Sequence, residues 1–192
     1  SILKAASQHD VPVTFRAAGT SLSGQSVSDS VLVVAAKHWE GMCTDDNGQT
    51  VTLQPGVVGS KVNDFLRPFG RKFGPDPASI KSCMVGGIVM NNASGMSCGT
   101  WANSDRMLIS GRVVFADGTV LDTEDPKSRD SFMQSHPEII SGVEALRDEV
   151  LADKELTERI RHKYSIKNVT GLNLLPLITF EDPFDIILHL LV

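Results

Sequence analysis

At 192 residues the chain has room for one domain, or one with part of a second, at roughly 100 to 200 residues per domain. Hydrophobic residues make up 41% and charged residues 21%, which excludes a disordered acidic tail, a collagen-like repeat and a disulfide-stapled miniprotein. Eighteen basic residues against 23 acidic ones give a formal charge of -5 with no basic cluster, which argues against nucleic acid as a partner and leaves any anionic ligand to be held by local geometry.

The chain opens over residues 2–8 on a helical pattern with no start signal and ends on an apolar helical pattern with no stop, so a piece of a longer protein is expected. Residues 11–15 alternate as a short strand that runs into Arg16-Ala17-Ala18-Gly19-Thr20-Ser21-Leu22-Ser23-Gly24-Gln25, a stretch of small and hydroxyl side chains. Residues 31–36 read as a continuous apolar strand and residues 50–54 as another, closed by Pro55-Gly56. Val62, Phe65, Leu66 and Phe69 at helical spacing predict an amphipathic helix over residues 59–69. The loop Gly74-Pro75-Asp76-Pro77-Ala78-Ser79 follows, and then a second small-residue segment over residues 85–99. Residues 112–115 and 120–122 flank Asp117-Gly118, a strong hairpin signal. Charged helices are predicted over residues 126–133, 137–151 and 153–164, covering one side of the sheet, and Asp182-Pro183 starts a last helix.

Cys43, Cys83 and Cys98 form neither a CxxC pair nor an even set, which predicts a reducing, intracellular setting without a disulfide framework. No apolar run approaches the roughly 18 to 20 residues that span a bilayer, and the first residues carry no secretory pattern.

The loop around Gly19 and Gly24 is the most informative local feature. A strand that ends in Ala, Gly, Thr and Ser lets several backbone N–H groups converge, and the hydroxyls of Thr20, Ser21 and Ser23 add donors, a combination suited to a pyrophosphate. It matches neither the GxGxxG fingerprint nor the phosphate loop ending in Gly-Lys-Ser/Thr, and it is not a GxSxG nucleophile elbow. A plain surface turn is the alternative reading. Val85-Gly86-Gly87 and Asn91-Asn92-Ala93-Ser94-Gly95 again place glycine and short polar side chains where backbone approaches a ligand closely. Two such segments fit one long ligand lying across the fold, and two packing turns are the alternative. His9, His38, His136, His162 and His189 are scattered, with no HExxH and no cysteine at ligand spacing, so surface or helix-end positions and no metal site are expected. Asp76, between prolines, reads as a turn former, with an acid or base as the alternative, and Cys98 as a buried free thiol, with a reactive one as the alternative.

Taken together, Pro12-Val13-Thr14-Phe15 with the 16–25 loop, Phe73-Gly74-Pro75-Asp76-Pro77-Ala78-Ser79, Gly86-Gly87 with Asn92-Ala93-Ser94-Gly95, and Phe115-Ala116-Asp117-Gly118-Thr119 resemble, in order, the FAD-binding domain of the vanillyl-alcohol oxidase and para-cresol methylhydroxylase superfamily. The resemblance implies an α+β FAD-binding domain of the para-cresol methylhydroxylase type, with two α/β sub-domains and the cofactor extended between them, truncated here at both ends. Residues 1–122 would supply the first sub-domain and its pyrophosphate loops, and residues 123–192 a helical segment leading toward a cap domain. By position it assigns Arg16, Ala17, Ala18, Gly19, Thr20, Ser21, Leu22, Ser23, Gly24 and Gln25 to the pyrophosphate. Pro75 and Ser79 would lie along the cofactor, and Gly86, Gly87, Asn92, Ala93 and Gly95 would line its path toward the flavin ring. Ala17 and Ala18 stand where glycines are common in the family, and Ser94 where many members have Gly. Thr20 stands where members with covalent flavin carry the attaching histidine, so non-covalent FAD is implied.

Lys167-Asn168-Val169-Thr170-Gly171-Leu172-Asn173-Leu174 and residues 182–192 resemble the approach to a further flavin-contacting glycine run and to the cap. In the family that cap carries the catalytic histidine and the basic residues that hold the substrate carboxylate, so the resemblance assigns no catalytic residue and no metal ligand to this chain. Within the superfamily the likeness is to the D-lactate dehydrogenase and glycolate oxidase branch, and Asn-Asn-Ala-Ser-Gly-Met-Ser-Cys-Gly-Thr resembles the large bacterial respiratory D-lactate dehydrogenases. It implies an FAD-dependent 2-hydroxy-acid dehydrogenase oxidising D-lactate to pyruvate, a base taking the hydroxyl proton as hydride passes to the flavin. A respiratory electron acceptor, an iron–sulfur cluster outside this chain, and a cytoplasmic location with peripheral association at the inner face of the membrane are implied with it. The chain alone is expected to be inactive. A scaffold that keeps the fold without the cofactor, and a sugar or aldonolactone oxidase, are the alternatives.

Overall fold

Helix α1 (Ile2–Gln8) leads into strand β1 (Val13–Arg16), which pairs in parallel with β2 (Val31–Val34) in the register Val13 to Val31 through Arg16 to Val34. The structure, a computed structural model, describes residues 2–168 and 172–192; Val169, Thr170 and Gly171 of the segment likened to the approach to the cap lie outside the described residues. Two compact units divide the chain, residues 6–107 and residues 108–192 with 1–5.

In the 6–107 unit, β3 (Met42–Thr44) and β4 (Val51–Leu53) form an antiparallel hairpin. Its turn is held by the Asp45 carboxylate, which accepts from the Gln49 N–H at 2.8 Å and from the Thr50 N–H at 3.3 Å. Helix α2 (Gly59–Leu66) has Val62 and Leu66 on its buried face, as the spacing predicted, and Pro68 turns its end into a single 3-10 turn over Arg67–Phe69. Val62 and Leu66 meet Val57 and Val85 in the core of this unit. The small-residue segment over residues 85–99 begins as a helix, α3 (Val85–Met90), with a further turn, α4 (Ser104–Met107), after it. Burial of Val85 and Ile88, three apart, outweighs the poor helix propensity of Gly86 and Gly87.

In the 108–192 unit, β5 (Arg112–Val114) and β6 (Val120–Asp122) are the expected hairpin, turned at Gly118 with φ +85°. Helices α5 (Pro126–Ser135), α6 (Pro137–Ala152), α7 (Lys154–Tyr164), α8 (Pro176–Thr179) and α9 (Pro183–Leu190) complete it. Asp125, Asp153 and Asp182 cap α5, α7 and α9, each accepting an N–H two or three residues on, and Pro126 and Pro183 hold the first turns of α5 and α9. The expectation that these helices cover one side of a sheet needs correction. Among the described residues the strands make three separate two-stranded sheets, and the helices bury Leu121 of the hairpin with Phe132, Ile140, Ile160, Phe184 and Ile186. His189 takes the expected helix-end position, in the last turn of α9, but not at the surface. It is buried, its Nδ1 facing the Asp185 carbonyl at 2.8 Å and its Nε2 the Leu108 carbonyl at 3.2 Å. Among the described residues no helix is long and apolar enough to cross a membrane.

Three rings anchor this core. Phe132 lies 4.8 Å from both Phe115 and His136, parallel to the latter within 8°. Phe132→Ala should cost about 3–5 kcal/mol through lost burial and the cavity left behind. Urea unfolding followed by tyrosine and far-ultraviolet signals checks this, and a loss within the ~0.5 kcal/mol of a surface substitution would contradict the placement.

Candidate functional site

Parallel neighbours need a long return connection, and here residues 17–30 make it without a helix. The Arg16 carbonyl still accepts from the Ala35 N–H at 2.8 Å, after which the backbone leaves the ladder. Among the described residues, the N–H groups of Ala17, Ala18, Gly19, Thr20, Ser21, Leu22 and Gly24 donate to no protein acceptor. Gly19 and Gly24 have φ of +69° and +79°, a region that L side chains rarely adopt. A Cβ at Gly19 would lie 2.9 Å from Arg16 Cδ, so the arginine side chain folds along the loop; at Gly24 there is open space within 4 Å. From Val11 to Ser28 the sequence holds no acidic residue. Free N–H donors, a guanidinium and an open glycine on a segment without acidic residues form a cradle for an anion.

The second segment meets this loop at two places. Gln25 Nε2 donates to Asn91 Oδ1 at 3.0 Å, and a Cβ at Gly87 would sit 3.9 Å from that of Ala17. The two stretches singled out in the sequence are therefore adjacent. Their glycines do different work. Gly86 packs on Pro55, where a Cβ would come within 2.8 Å of the ring, and Gly95 lies so close to Asp76 that a Cβ would overlap its carbonyl oxygen at 1.7 Å. Asn92 is buried with φ +43°, its Oδ1 accepting from the Asp105 N–H at 3.2 Å. The Ala93 N–H donates to the Ile88 carbonyl at 2.8 Å. Pro75 is fully buried, and Ser79 is exposed, its carbonyl accepting from the Ser82 and Cys83 N–H groups, both at 2.8 Å.

Asn91 was not singled out as a site residue, although it is the member of the asparagine pair that reaches the first loop. No signal in the sequence separates it from Asn92, because only the end of α3, at Asn91, sets the two apart. Cys98 is buried as expected, with Sγ 3.3 Å from Asn103 Oδ1. Among the described residues no group of three His, Cys, Asp or Glu is placed to hold a metal ion. Asp76 pairs with Lys72 at 2.8 Å, and that contact, with the Ser97 hydroxyl, holds its carboxyl below the ordinary carboxylate value.

Residues 1–124 match the family described as FAD binding domain. The D-2-hydroxyglutarate dehydrogenase of Haemophilus influenzae is 26% identical over 172 residues, 83% of this chain and 17% of that protein. The glycolate oxidase subunit GlcD of Escherichia coli is 34% identical over 113 residues, 58% of this chain and 23% of that protein. The chain thus spans less than a quarter of the length of these relatives. Among solved structures, an alkyldihydroxyacetonephosphate synthase superposes with a TM-score of 0.55 at 21% identity, over 63% of this chain and 25% of that one, a likeness of fold. The α+β fold is that of the para-cresol methylhydroxylase type.

The Asp76 pair makes a signed prediction. A carboxyl whose value is lowered in the folded state contributes stability above its unfolded value of 3.8, lost as pH falls through the lower folded value. Lys72→Met should lower the melting temperature at pH 7 and leave it unchanged at a pH below the folded value, where the aspartate is protonated in both proteins. An equal drop at both pH values would show that Lys72 acts by packing alone.

Proposed function

The chain belongs to the FAD binding domain family, and on that premise we propose that it is the FAD-binding portion of a flavin-dependent 2-hydroxy-acid dehydrogenase. The observation that carries the reading is the row of free backbone N–H groups of Ala17 to Leu22 and Gly24, tied by Gln25 to the Asn91 segment. In this reading Arg16 and the 17–24 backbone bind the pyrophosphate, Thr20, Ser21 and Ser23 add hydroxyl donors, and the Gly87–Asn91 side receives the rest of the cofactor. The Gly24 opening and the lack of acidic residues from Val11 to Ser28 fit the group. When bound, FAD supplies the hydride acceptor, and this chain binds and orients it.

The substrate class rests on the relatives, whose names denote oxidation of 2-hydroxy carboxylates, and D-lactate is proposed within that class on the Asn91-to-Thr100 run. The base and the carboxylate clamp are proposed to come from other parts of the native polypeptide, as are an iron–sulfur cluster and the contact with a respiratory acceptor at the cytoplasmic face of the membrane. FAD is proposed to be held non-covalently, because no histidine occurs from residue 10 to residue 37 and Thr20 cannot make the corresponding bond.

The native polypeptide is expected to carry the visible absorption of flavin, to be bleached by D-lactate, and to release its colour on acid precipitation. A colourless protein that takes up no FAD would overturn the cofactor, bleaching by a different 2-hydroxy acid alone would overturn D-lactate, and a yellow pellet would overturn non-covalent binding.

Gly24→Val adds a second test. Its positive φ is unfavourable for a branched residue, so the substitution should lower the free energy of unfolding by about 1 kcal/mol or more. The branched side chain also fills the opening, so FAD affinity by fluorescence quenching should fall by more than the stability change accounts for. Unchanged affinity would remove this loop from the site.

A further inference from the structure

The His136 ring stands at the junction of α5 and α6 with a side-chain partner on each nitrogen, Ser135 Oγ 2.8 Å from Nδ1 and Asp117 Oδ2 3.1 Å from Nε2. Its side chain is only 16% exposed and lies flat on Phe132, so the ring is held in one orientation. Asp117 belongs to the turn of the β5–β6 hairpin, where its carboxylate also accepts from the Thr119 N–H at 2.8 Å and hydroxyl at 2.6 Å. Those two bonds, and after them the His136 ring, hold the Asp117 carboxyl below its ordinary value of 3.8.

Counting hydrogens defines two states of this chain of contacts. A carboxylate only accepts, so Nε2 carries a hydrogen whatever the charge of the ring. On a neutral ring Nδ1 accepts from the Ser135 hydroxyl. On a charged ring Nδ1 donates to it, and the hydroxyl turns its own hydrogen to the Ser131 carbonyl at 3.0 Å or the Phe132 carbonyl at 3.3 Å. One proton enters from solvent, the serine hydroxyl rotates, and no polar group is left unpaired in either state. The elements around the ring add few charges. Helix α5 brings Ser131, Phe132 and Ser135, none of them charged, and its C-terminal carbonyls favour a cation; the first turn of α6 favours the neutral ring and carries Glu138. The hairpin brings Asp117 and the Phe115 ring at 6.2 Å, and among the described residues Asp117 is the charged side chain paired with the ring.

We propose that Asp117, His136 and Ser135 are a proton-operated clasp, in which charging the ring tightens the hairpin turn onto the α5–α6 junction and discharging it slackens the turn. The ion pair needs a charged ring and an ionised Asp117, so it exists above the lowered Asp117 value and is lost as rising pH discharges the ring. The clasp lies in the 108–192 unit and does not depend on the cofactor assignment.

Hydrogen exchange of the full-length protein tests it, read as protection factors for the amides of residues 115–120 at about pH 5.5 and about pH 8, on either side of the ordinary histidine value of about 6.5. Wild-type protection should be about 3- to 10-fold higher at the lower pH, the added worth of a charged over a neutral hydrogen bond. The difference should shrink in about 1 M salt, because Asp117 is half-exposed. It should vanish in His136→Gln and in Asp117→Ser, the latter keeping an oxygen for the Thr119 N–H. The amides of residues 143–150 in α6 are the reference. Equal wild-type protection at both pH values, a difference that both variants retain, or an equal change throughout α6 overturns the clasp. Should either variant fail to fold, the wild type decides alone: a pH difference that salt shrinks supports the clasp, and one that salt leaves unaltered overturns it.

Discussion

The parallel register of β1 and β2 is the constraint from which the site follows. Because Arg16 lies opposite Val34 and Val13 opposite Val31, the chain must travel back along the strands before it pairs again, and no hairpin turn can do this. In most parallel pairs a helix makes the return and uses up its own N–H groups. Here residues 17–30 make it as open backbone, so the donors of Ala17 through Leu22 stay available. Two positive-φ glycines let that backbone reverse without a side chain standing over it.

An open loop of this kind is positioned only if something rigid stands beside it. The second segment supplies this through contacts between backbones: Gly86 on Pro55, Gly95 on Asp76, and the Val85 N–H on the Val57 carbonyl at 2.8 Å. Behind them Val57, Val62, Leu66 and Val85 form a core that belongs to the same unit. The Gln25–Asn91 bond then joins the open stretch to the packed one. Most of the glycines in the second segment are thus scaffold, and those of the first loop are the ones whose conformation opens backbone toward a ligand.

That division was only partly legible in the sequence. The strands over residues 13–16 and 31–34, the Asp-Gly hairpin, the amphipathic helix with Val62 and Leu66, and the Asp-Pro starts of α5 and α9 all follow from local patterns with a direct physical cause. Helix α3 did not, because two glycines in its first turn carry the opposite propensity and only packing against Pro55 and the buried Val85 and Ile88 overrides it. Strand β3, Met-Cys-Thr, is too short and too weakly branched to signal itself, and it exists as the partner of Val51–Leu53. In the site, the residue types of both loops could be read, but not that Asn91 and not Asn92 faces Gln25. Adjacent asparagines look alike in a sequence and differ only once α3 sets their directions.

The same logic bears on what the helical unit contributes. Every residue assigned to the cofactor, from Arg16 to Gly95, lies within residues 6–107, and the core that supports them is built from residues of that range. Leu121, Phe132, Ile160 and Phe184 form a separate core, closed by aspartate-capped helices and by His189 between two backbone carbonyls. A substitution there acts on the stability of its own unit. The residues proposed to hold the cofactor therefore lie in the half with the weaker secondary-structure signals, because a backbone already saturated by helix or sheet bonds has no donors left to offer a ligand.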